Sequence, residues 1–247
     1  MENLILKERY APASPPAADF GERVSRAYLE IRDLIIRGRL EPGERAVEAD
    51  LGNRLGISRT PVRQALGRLE HEGFVVPVGP AQRKRLMVAP MSGADFVELC
   101  CLIGAYEGMA LAGIEAVTPE KRAELADRLA AVNAALRVAI RSAPEDADAI
   151  FRLLTRFHTT FFEALAGPRL RTVYGSLRPL VERYEWAYAD LVEGQIGASL
   201  DEHELIIAAV RAGSAQTAEA TVRLHWERSG SRVSNALAFN RLQTEAG

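Results

Sequence analysis

Residues 48–69 read EADLGNRLGISRTPVRQALGRL, and this stretch predicts two short helices joined by a tight turn. Leu51 and Leu55 lie four residues apart, so they share one face of the first helix. Gly56 ends that helix, because glycine adopts the left-handed conformation of a helix C-terminus at little cost. Ser58 is then placed to cap the second helix, since its hydroxyl can accept a free backbone N–H of the first turn. The pattern is typical of a helix-turn-helix.

The second of these helices has an apolar stripe and a polar end. Val62, Leu66 and Leu69 recur at helical spacing and should face the core. Five polar residues stand at or near the N-terminal end, on the other faces: Ser58, Arg59, Thr60, Arg63 and Gln64. A recognition helix presents side chains to the major groove of DNA from that end. Taken alone, the pattern fits a solvated surface helix equally well, so its meaning depends on the neighbouring sequence.

Two β-like runs follow the second helix. They cover residues 74–78 and 86–89. The turn between them ends in three basic residues, Arg83, Lys84 and Arg85. A hairpin with a basic tip after two helices indicates a winged helix-turn-helix. The basic tip should add affinity for nucleic acid that depends on salt more than on sequence.

Charge is distributed unevenly along the chain. Residues 20–90 hold 13 Lys and Arg against 9 Asp and Glu, a net charge of +4, whereas the whole chain of 247 residues has a net charge of −2. A basic module joined to an acidic one indicates nucleic acid as the partner of the first module. The composition, 48% hydrophobic and 26% charged, is that of a soluble globular protein and suits two domains.

The sequence favours a cytoplasmic protein. No uninterrupted apolar run reaches the roughly 18 residues that a membrane span needs, and the N-terminus lacks the pattern of a signal peptide. The only cysteines are Cys100 and Cys101. Because they are adjacent in a helical stretch, they do not suggest a disulfide framework, and we expect reduced, half-buried core residues.

Three segments of the first module resemble the DNA-binding domain of GntR-family bacterial transcription factors. They are residues 31–38 (IRDLIIRG), 40–45 (LEPGER) and 58–66 (SRTPVRQAL). The resemblance implies that Arg59 and Arg63 contact an operator, that Thr60 contacts phosphate or base, and that the wing enters the minor groove. Arginine can read O6 and N7 of guanine with two hydrogen bonds, which agrees with these roles.

The chain divides into three parts. Residues 1–19 form a Pro- and Ala-rich tail that we expect to be disordered or loosely extended. Residues 20–90 form the winged helix-turn-helix domain, with a first helix over about 20–37, and residues 91–247 form a second domain. Helical patterns and their Gly and Pro punctuation predict six helices there and no strands, over about 92–116, 119–140, 145–166, 168–193, 199–212 and 214–243. Pro179 should kink or split the fourth. The predicted fold class is therefore mainly α, a winged helix-turn-helix plus an all-α bundle.

The second domain resembles the FCD domain, the effector-binding helical bundle of the FadR branch of the GntR family. The matching segments are residues 157–158 (FH), 162–167 (FEALAG) and 202–206 (EHELI), followed by Ala209, Gly213 and His225. The resemblance implies a small-molecule effector bound between the helices. It also implies a divalent metal such as zinc or nickel, held by His158, His203 and His225. These histidines fall on three predicted helices, and imidazole suits such ions.

The sequence departs from the FCD pattern at two positions. The family's metal-binding Asp, four residues before the first histidine, is Leu154 here, and an Arg four residues before Glu107 is Ile103. Three neutral imidazoles without an anion should bind a metal more weakly. Both changes make the pocket less polar, so we expect a less acidic or more apolar effector. Further effector contacts are expected on the fourth helix of the bundle, where the candidates are Arg178, Arg183, Tyr184 and Tyr188.

Together these features predict a ligand-responsive transcriptional regulator that binds double-stranded DNA. Two recognition helices matched to major-groove faces about 34 Å apart imply a homodimer on a near-palindromic operator, and most such proteins are repressors. One alternative is a regulator whose bundle only dimerises, which Leu154 and Ile103 favour. A second alternative is an enzyme, a metal-dependent hydrolase using three histidines. It lacks HExxH, GxSxG and a glycine-rich phosphate loop.

Overall fold

The computed structural model describes the backbone of residues 17–80, 85–187 and 196–245, and side chains within residues 20–80, 85–187 and 197–235. The expected tail up to residue 16 lies outside the described residues, as do Arg83, Lys84 and Tyr188. Contacts divide the chain into two compact units. The first contains the described residues up to 35 together with residues 40–89, and the second contains residues 36–39 and the chain from residue 90 onward.

The first unit consists of three helices and a two-stranded hairpin. Its elements are α1 (Ala17–Ile36), α2 (Glu48–Leu55), α3 (Arg59–His71), β1 (Val75–Val78) and β2 (Arg85–Val88). The strands pair antiparallel, with Val75 opposite Val88. Arg45, in the segment before α2, forms an isolated bridge to Met87. The winged helix-turn-helix predicted from the sequence is confirmed.

The turn between α2 and α3 has the predicted geometry except at its cap. Gly56 adopts a left-handed conformation with φ of 65°, and the N–H of Ile57 donates to the carbonyl of Gly52 at 3.0 Å. The buried stripe of α3 is Val62, Leu66 and Leu69, each at most 1% exposed. Ser58 occupies the N-cap position, but its hydroxyl makes no capping hydrogen bond, contrary to expectation. Because Ser58 is exposed, water can satisfy the free N–H groups of the first turn instead.

The second unit is an all-helical bundle. Its elements are α4 (Gly93–Leu111), a 3-10 turn (Ala112–Ala116), α5 (Pro119–Ser142), α6 (Ala147–Leu165), α7 (Pro168–Ala187), α8 (Ile196–Ala212) and α9 (Ala215–Glu245). The hydroxyl of Ser92 caps α4 by accepting the N–H of Asp95, and Thr118 caps α5. Of the two outcomes expected at Pro179, a kink or a split, the split does not occur, because α7 continues through the proline. Burial of the proline ring helps to offset the missing backbone hydrogen bond.

Glycines lie where α4 and α9 approach each other. A Cβ atom at Gly104 would stand 3.0 Å from the Cβ of Trp226, and one at Gly230 would stand 3.2 Å from the Cβ of Cys100. Cys100 is buried in this contact, whereas Cys101 is exposed. The expectation of two half-buried cysteines is therefore wrong, because successive residues of a helix point about 100° apart.

Within the described residues, one helical segment, Gly93–Ala116, is long and apolar enough by composition to cross a membrane, with a mean hydropathy of 1.5. Asp95, Glu98 and Glu107 interrupt this segment, so it contains no long uninterrupted apolar run. Half of this segment is buried inside the second unit. Burial of that kind is the pattern of a core helix.

We expect Gly104→Val to destabilise the second unit, because its methyl groups would press on Trp226 in a closely packed core. Overpacking of this kind costs about 1–3 kcal/mol. The matched control is Gly113→Val, since nothing lies within 4 Å of a Cβ atom placed at Gly113. Denaturant titrations should give a lower unfolding midpoint for Gly104→Val alone. Equal midpoints for the two variants would contradict the close approach of α4 and α9.

Candidate effector and metal centre

Three histidines from three helices meet in the core of the second unit. His158 lies on α6, His203 on α8 and His225 on α9, and each is at most 4% exposed. Their ring centroids are 5.0 to 5.4 Å apart. One ring nitrogen from each lies within 4.8 Å of the other two. We refer to these three residues as the histidine centre.

Each ring of the histidine centre places its Nδ1 against an oxygen atom from a different helix. The partners are Glu107 Oε2 for His158 at 2.9 Å, Asn133 Oδ1 for His203 at 3.0 Å, and Glu202 Oε2 for His225 at 2.8 Å. With every Nδ1 engaged at the outside, the Nε2 atoms remain for the interior of the cluster. Such outer partners orient metal-binding histidines and fix their tautomer.

The amide of Asn133 sets the tautomer of His203. Its Nδ2 donates to the carbonyl of Leu200 at 3.2 Å and to Glu204 at 2.7 Å, so its oxygen faces the imidazole. The Nδ1–H of His203 must then donate to that oxygen, which leaves the lone pair on Nε2. The Nε2 atom is buried and has no hydrogen-bond partner. A buried acceptor without a partner is unfavourable, and a bound ligand would relieve it.

Glu107 joins four helices through one carboxylate. Besides His158, it accepts the indole N–H of Trp226 at 2.7 Å and the hydroxyl of Tyr174 at 2.8 Å. Complete burial raises the pKa of Glu107 to about 7, although the hydrogen bonds from Trp226 and Tyr174 oppose the change. The carboxyl group therefore titrates near neutral pH in the folded protein.

Glu202 remains charged. Arg232 donates to both of its oxygens, at 2.9 and 3.1 Å, in addition to the bond from His225. Burial alone would raise the pKa of Glu202, but the hydrogen bonds from His225 and Arg232 outweigh burial and hold it at about 2. The outer partner of His225 is thus a permanent anion over the physiological pH range.

Burial keeps two of the imidazoles neutral. It lowers the pKa of His158 well below its usual value, and electrostatic interactions with His225 and Arg178 act in the same direction. The pKa of His203 is lowered by burial and then by the neighbouring histidines. A neutral imidazole is the form that binds metal ions.

A buried guanidinium lies beside the histidine centre. Arg178 donates to both carboxylate oxygens of Glu185, at 3.2 and 3.0 Å, and to the hydroxyl of Thr155 at 3.0 Å. Its central carbon lies 5.7 Å from the ring of Trp226, which itself packs against His158. The positive charge is therefore matched by a carboxylate inside the protein.

Tyr184, another candidate on α7, links two helices of the bundle. The hydroxyl of Tyr184 accepts the backbone N–H of Ser92 and donates to Asp95, and its ring stacks on Phe96. This residue thus ties α7 to the beginning of α4. Arg183 is buried on the same helix.

The two departures from the FCD pattern lie in apolar surroundings. Leu154 packs in a buried cluster with Leu136, Ile150, Phe151 and Leu200. Ile103 is fully buried in the main core of the bundle. Among the described residues, no carboxylate joins the three histidines as a further ligand.

The roles of most residues around the histidine centre were not predicted from the sequence. These residues are the outer partners Glu107 and Asn133, and Tyr174, which donates to Glu107. Asn133 could have been found, because it stands among Leu129, Val132 and Leu136 at spacings that place a polar amide on a buried helical face. A polar residue on such a face needs a partner in the core.

The residues expected to bind DNA lie on the surface of the first unit. Ser58, Arg59, Thr60, Arg63 and Gln64 are exposed along the N-terminal half of α3, and Arg85 is exposed at the start of β2. Arg63 forms an ion pair with Glu48, at the start of α2. Arg68 pairs with Glu72 one helical turn later.

Two family models match the chain. That of bacterial regulatory proteins of the gntR family matches residues 23–79, and that of the FCD domain matches residues 103–228. An HTH-type transcriptional regulator from Agrobacterium vitis is 34% identical over 103 residues, which are 42% of this chain and 58% of the relative. One from Mycobacterium tuberculosis is 28% identical over 156 residues, which are 63% of this chain and 59% of the relative. The chain thus spans less than two thirds of the length of these curated relatives.

Solved structures share the fold. McbR/YncC from E. coli superposes with a TM-score of 0.68 at 20% identity, over 87% of this chain and 98% of that one. A GntR transcriptional regulator from Rhodococcus sp. RHA1 superposes with a TM-score of 0.65 at 22% identity, over 87% and 99% of the two chains.

The winged helix-turn-helix and the all-helical second unit together place the protein among transcriptional regulators that have a helical second domain. The chain belongs to the GntR family, in its FadR branch, and its second unit is an FCD domain.

Glu107 should make the stability of the fold fall as the pH rises. Its pKa is about 7 in the folded protein against 4.5 for an ordinary glutamate, so the folded chain retains a proton that the unfolded chain releases between these values. The contribution is complete below pH 4.5 and should be lost by pH 7, an effect of up to about 3 kcal/mol. The measurement is the free energy of unfolding of the wild type minus that of Glu107→Gln, taken in chelator across this range. Subtraction removes the contribution of titrating groups that do not contact Glu107. A difference that does not change with pH would contradict the raised pKa.

Proposed function

We propose that the protein binds double-stranded DNA through its first unit and a small-molecule effector through its second, and that the effector controls DNA binding. On this proposal the protein acts in the cytoplasm, as a homodimer on a near-palindromic operator, and as a repressor. The observation that carries the effector part is the histidine centre, in which three outer partners hold the Nδ1 atoms and leave Nε2 as the remaining nitrogen of each ring.

The DNA-binding part rests on the exposed face of α3. Arg59, Thr60, Arg63 and Gln64 extend into solvent from the end of the helix that a helix-turn-helix inserts into the major groove. Arginine and glutamine side chains can read base edges with paired hydrogen bonds, whereas hydroxyls and the basic wing would hold phosphates. A second copy, with its recognition helix about 34 Å away, would read the other half-site.

A divalent metal fits the histidine centre. Three imidazole nitrogen donors suit zinc, nickel and similar ions, and they do not suit magnesium or calcium, which prefer oxygen. The unpartnered Nε2 of His203 is accounted for if it binds a metal. We propose that His158, His203 and His225 hold such an ion, which would supply a Lewis-acidic position open to the effector.

Two arginines near the histidine centre are paired with carboxylates, and this pairing indicates which class of effector could bind. The cations Arg178 and Arg232 each make two hydrogen bonds to an internal carboxylate, Glu185 and Glu202 respectively. Neither guanidinium is therefore an uncompensated charge that would attract a strongly acidic molecule. We infer that the effector is weakly acidic or largely apolar, with one donor atom that reaches the metal.

DNA binding is tested with the full-length protein and duplexes selected from a random-sequence pool. We expect Arg59→Ala to weaken binding to the selected duplex by about tenfold or more, because one good bidentate base contact is worth about 1–3 kcal/mol. The control is Arg169→Ala, which removes the same charge from an exposed position on α7. Failure of the wild type to enrich any sequence would contradict sequence-specific binding.

Metal binding is tested by elemental analysis and by calorimetric titration with zinc and nickel. We expect about one ion per chain, loss of binding in His203→Ala, and retention in His71→Ala, whose histidine is exposed at the end of α3. Loss of an outer partner in Asn133→Ala should weaken binding by about 10- to 100-fold.

The same titration separates the proposal from its alternatives. Absence of a bound ion in the wild type would overturn the metal part and favour a bundle that only dimerises. A bound ion together with hydrolytic turnover of test esters that His203→Ala abolishes would favour an enzyme.

A further inference from the structure

One arginine of the recognition helix is held by two hydrogen bonds from a neighbouring helix. Arg63 donates from Nε to Oε1 of Glu48 at 2.8 Å and from Nη2 to Oε2 at 2.9 Å. Glu48 is the first residue of α2. The side chain of Arg63 is 70% exposed, whereas that of Glu48 is 32% exposed. The guanidinium is thus fixed on one edge while most of the side chain remains open to solvent.

The geometry of the pair leaves a second edge of the guanidinium unused by Glu48. A guanidinium has five N–H donors in a planar arrangement, and the carboxylate takes the edge formed by Nε and Nη2. The edge formed by Nη1 and the second N–H of Nη2 is unoccupied by this carboxylate. Two parallel N–H groups of this kind match the O6 and N7 acceptors of guanine in the major groove.

We propose that Glu48 is a positioning residue that orients Arg63 to read a guanine, so that the two side chains specify one base pair of each half-site together. This inference rests on the proposed DNA-binding function. A long exposed arginine otherwise samples many rotamers, and ordering it on binding weakens the contact. Glu48 restricts those rotamers before DNA arrives, and its own position is fixed by the first turn of α2.

The surroundings of the pair fit this role. A groove of about 380 Å³ beside it is lined by Arg45, from the segment before α2, and by Arg85 of β2, as well as by Glu48, Arg63 and Glu70. Arg45 and Arg85 are exposed and suited to the phosphates on either side of a base contact. The carboxylate of Glu48 would repel the DNA backbone, and its two hydrogen bonds with Arg63 offset that charge.

The test compares base preference in four full-length proteins: the wild type, Glu48→Gln, Arg63→Ala and Asp50→Asn. Asp50 is the matched control, because it is exposed in the same first turn of α2 and its substitution makes the same change in charge. A duplex selected by the wild type from a random pool is resynthesised with each of the four base pairs at every half-site position. Affinities are measured by fluorescence anisotropy at one fixed salt concentration.

We expect one position at which the wild type prefers guanine by about tenfold or more and Arg63→Ala shows no preference. At that position the preference of Glu48→Gln for guanine should be at least about threefold smaller than that of the wild type. Asp50→Asn should retain it, although both neutral variants should bind all duplexes somewhat more tightly. Thermal melting shows whether Glu48→Gln is folded. If it is not, Glu48→Asp is the variant to use. This substitution keeps the charge but shortens the side chain by one methylene group, so it should also reduce the preference for guanine.

The possible results lead to distinct conclusions. A wild-type preference that Glu48→Gln and Glu48→Asp leave unchanged would overturn the positioning role while the DNA-binding function stands. A preference that survives in Arg63→Ala at every position would overturn the pairing of the two residues with one base pair. If the wild type enriches no sequence, the DNA-binding function itself fails and the inference fails with it.

Discussion

Three imidazoles buried in one helical core must each find a partner for the nitrogen that faces outward, and the second unit is organised by that requirement. The partners Glu107, Asn133 and Glu202 come from α4, α5 and α8, so the three rings and their acceptors involve five helices. An unmet hydrogen bond in such a place costs about 1–3 kcal/mol, which is a large fraction of the stability of a domain. These hydrogen bonds thereby couple the positions of helices that are distant from one another in the sequence.

The architecture could be predicted from the sequence, because its signals are local. Gly56 and the spacing of Val62, Leu66 and Leu69 define the helix-turn-helix over a few residues, and Ser92 and Thr118 mark where helices of the bundle begin. The misjudged details depend on surroundings that a sequence does not display. The hydroxyl of Ser58 faces water and need not cap its helix, and the burial of Pro179 lets α7 continue.

The histidine centre was predictable only in part. The three histidines could be picked out, because they are rare residues on separate helices that match a known pattern. Their outer partners are ordinary polar residues, and which of the many glutamates in the chain faces a given ring depends on the packing of distant helices. Glu202 illustrates the point, because it is adjacent in sequence to His203 and yet binds His225. The role of Glu48 beside Arg63 is hidden for the same reason, since fifteen residues separate the pair.

The neutrality of the buried rings has a consequence for metal uptake. Histidines in water must give up protons before they can bind an ion, so an exposed site competes with acid and releases protons as it fills. His158 and His203 have already lost those protons on folding, because burial keeps their pKa values well below the usual range. At these two rings, protons therefore oppose the folding of the chain and do not compete directly with the metal ion. An ion entering the centre would displace no extra proton from these two rings, so at these two positions acid would oppose metal binding through the stability of the bundle.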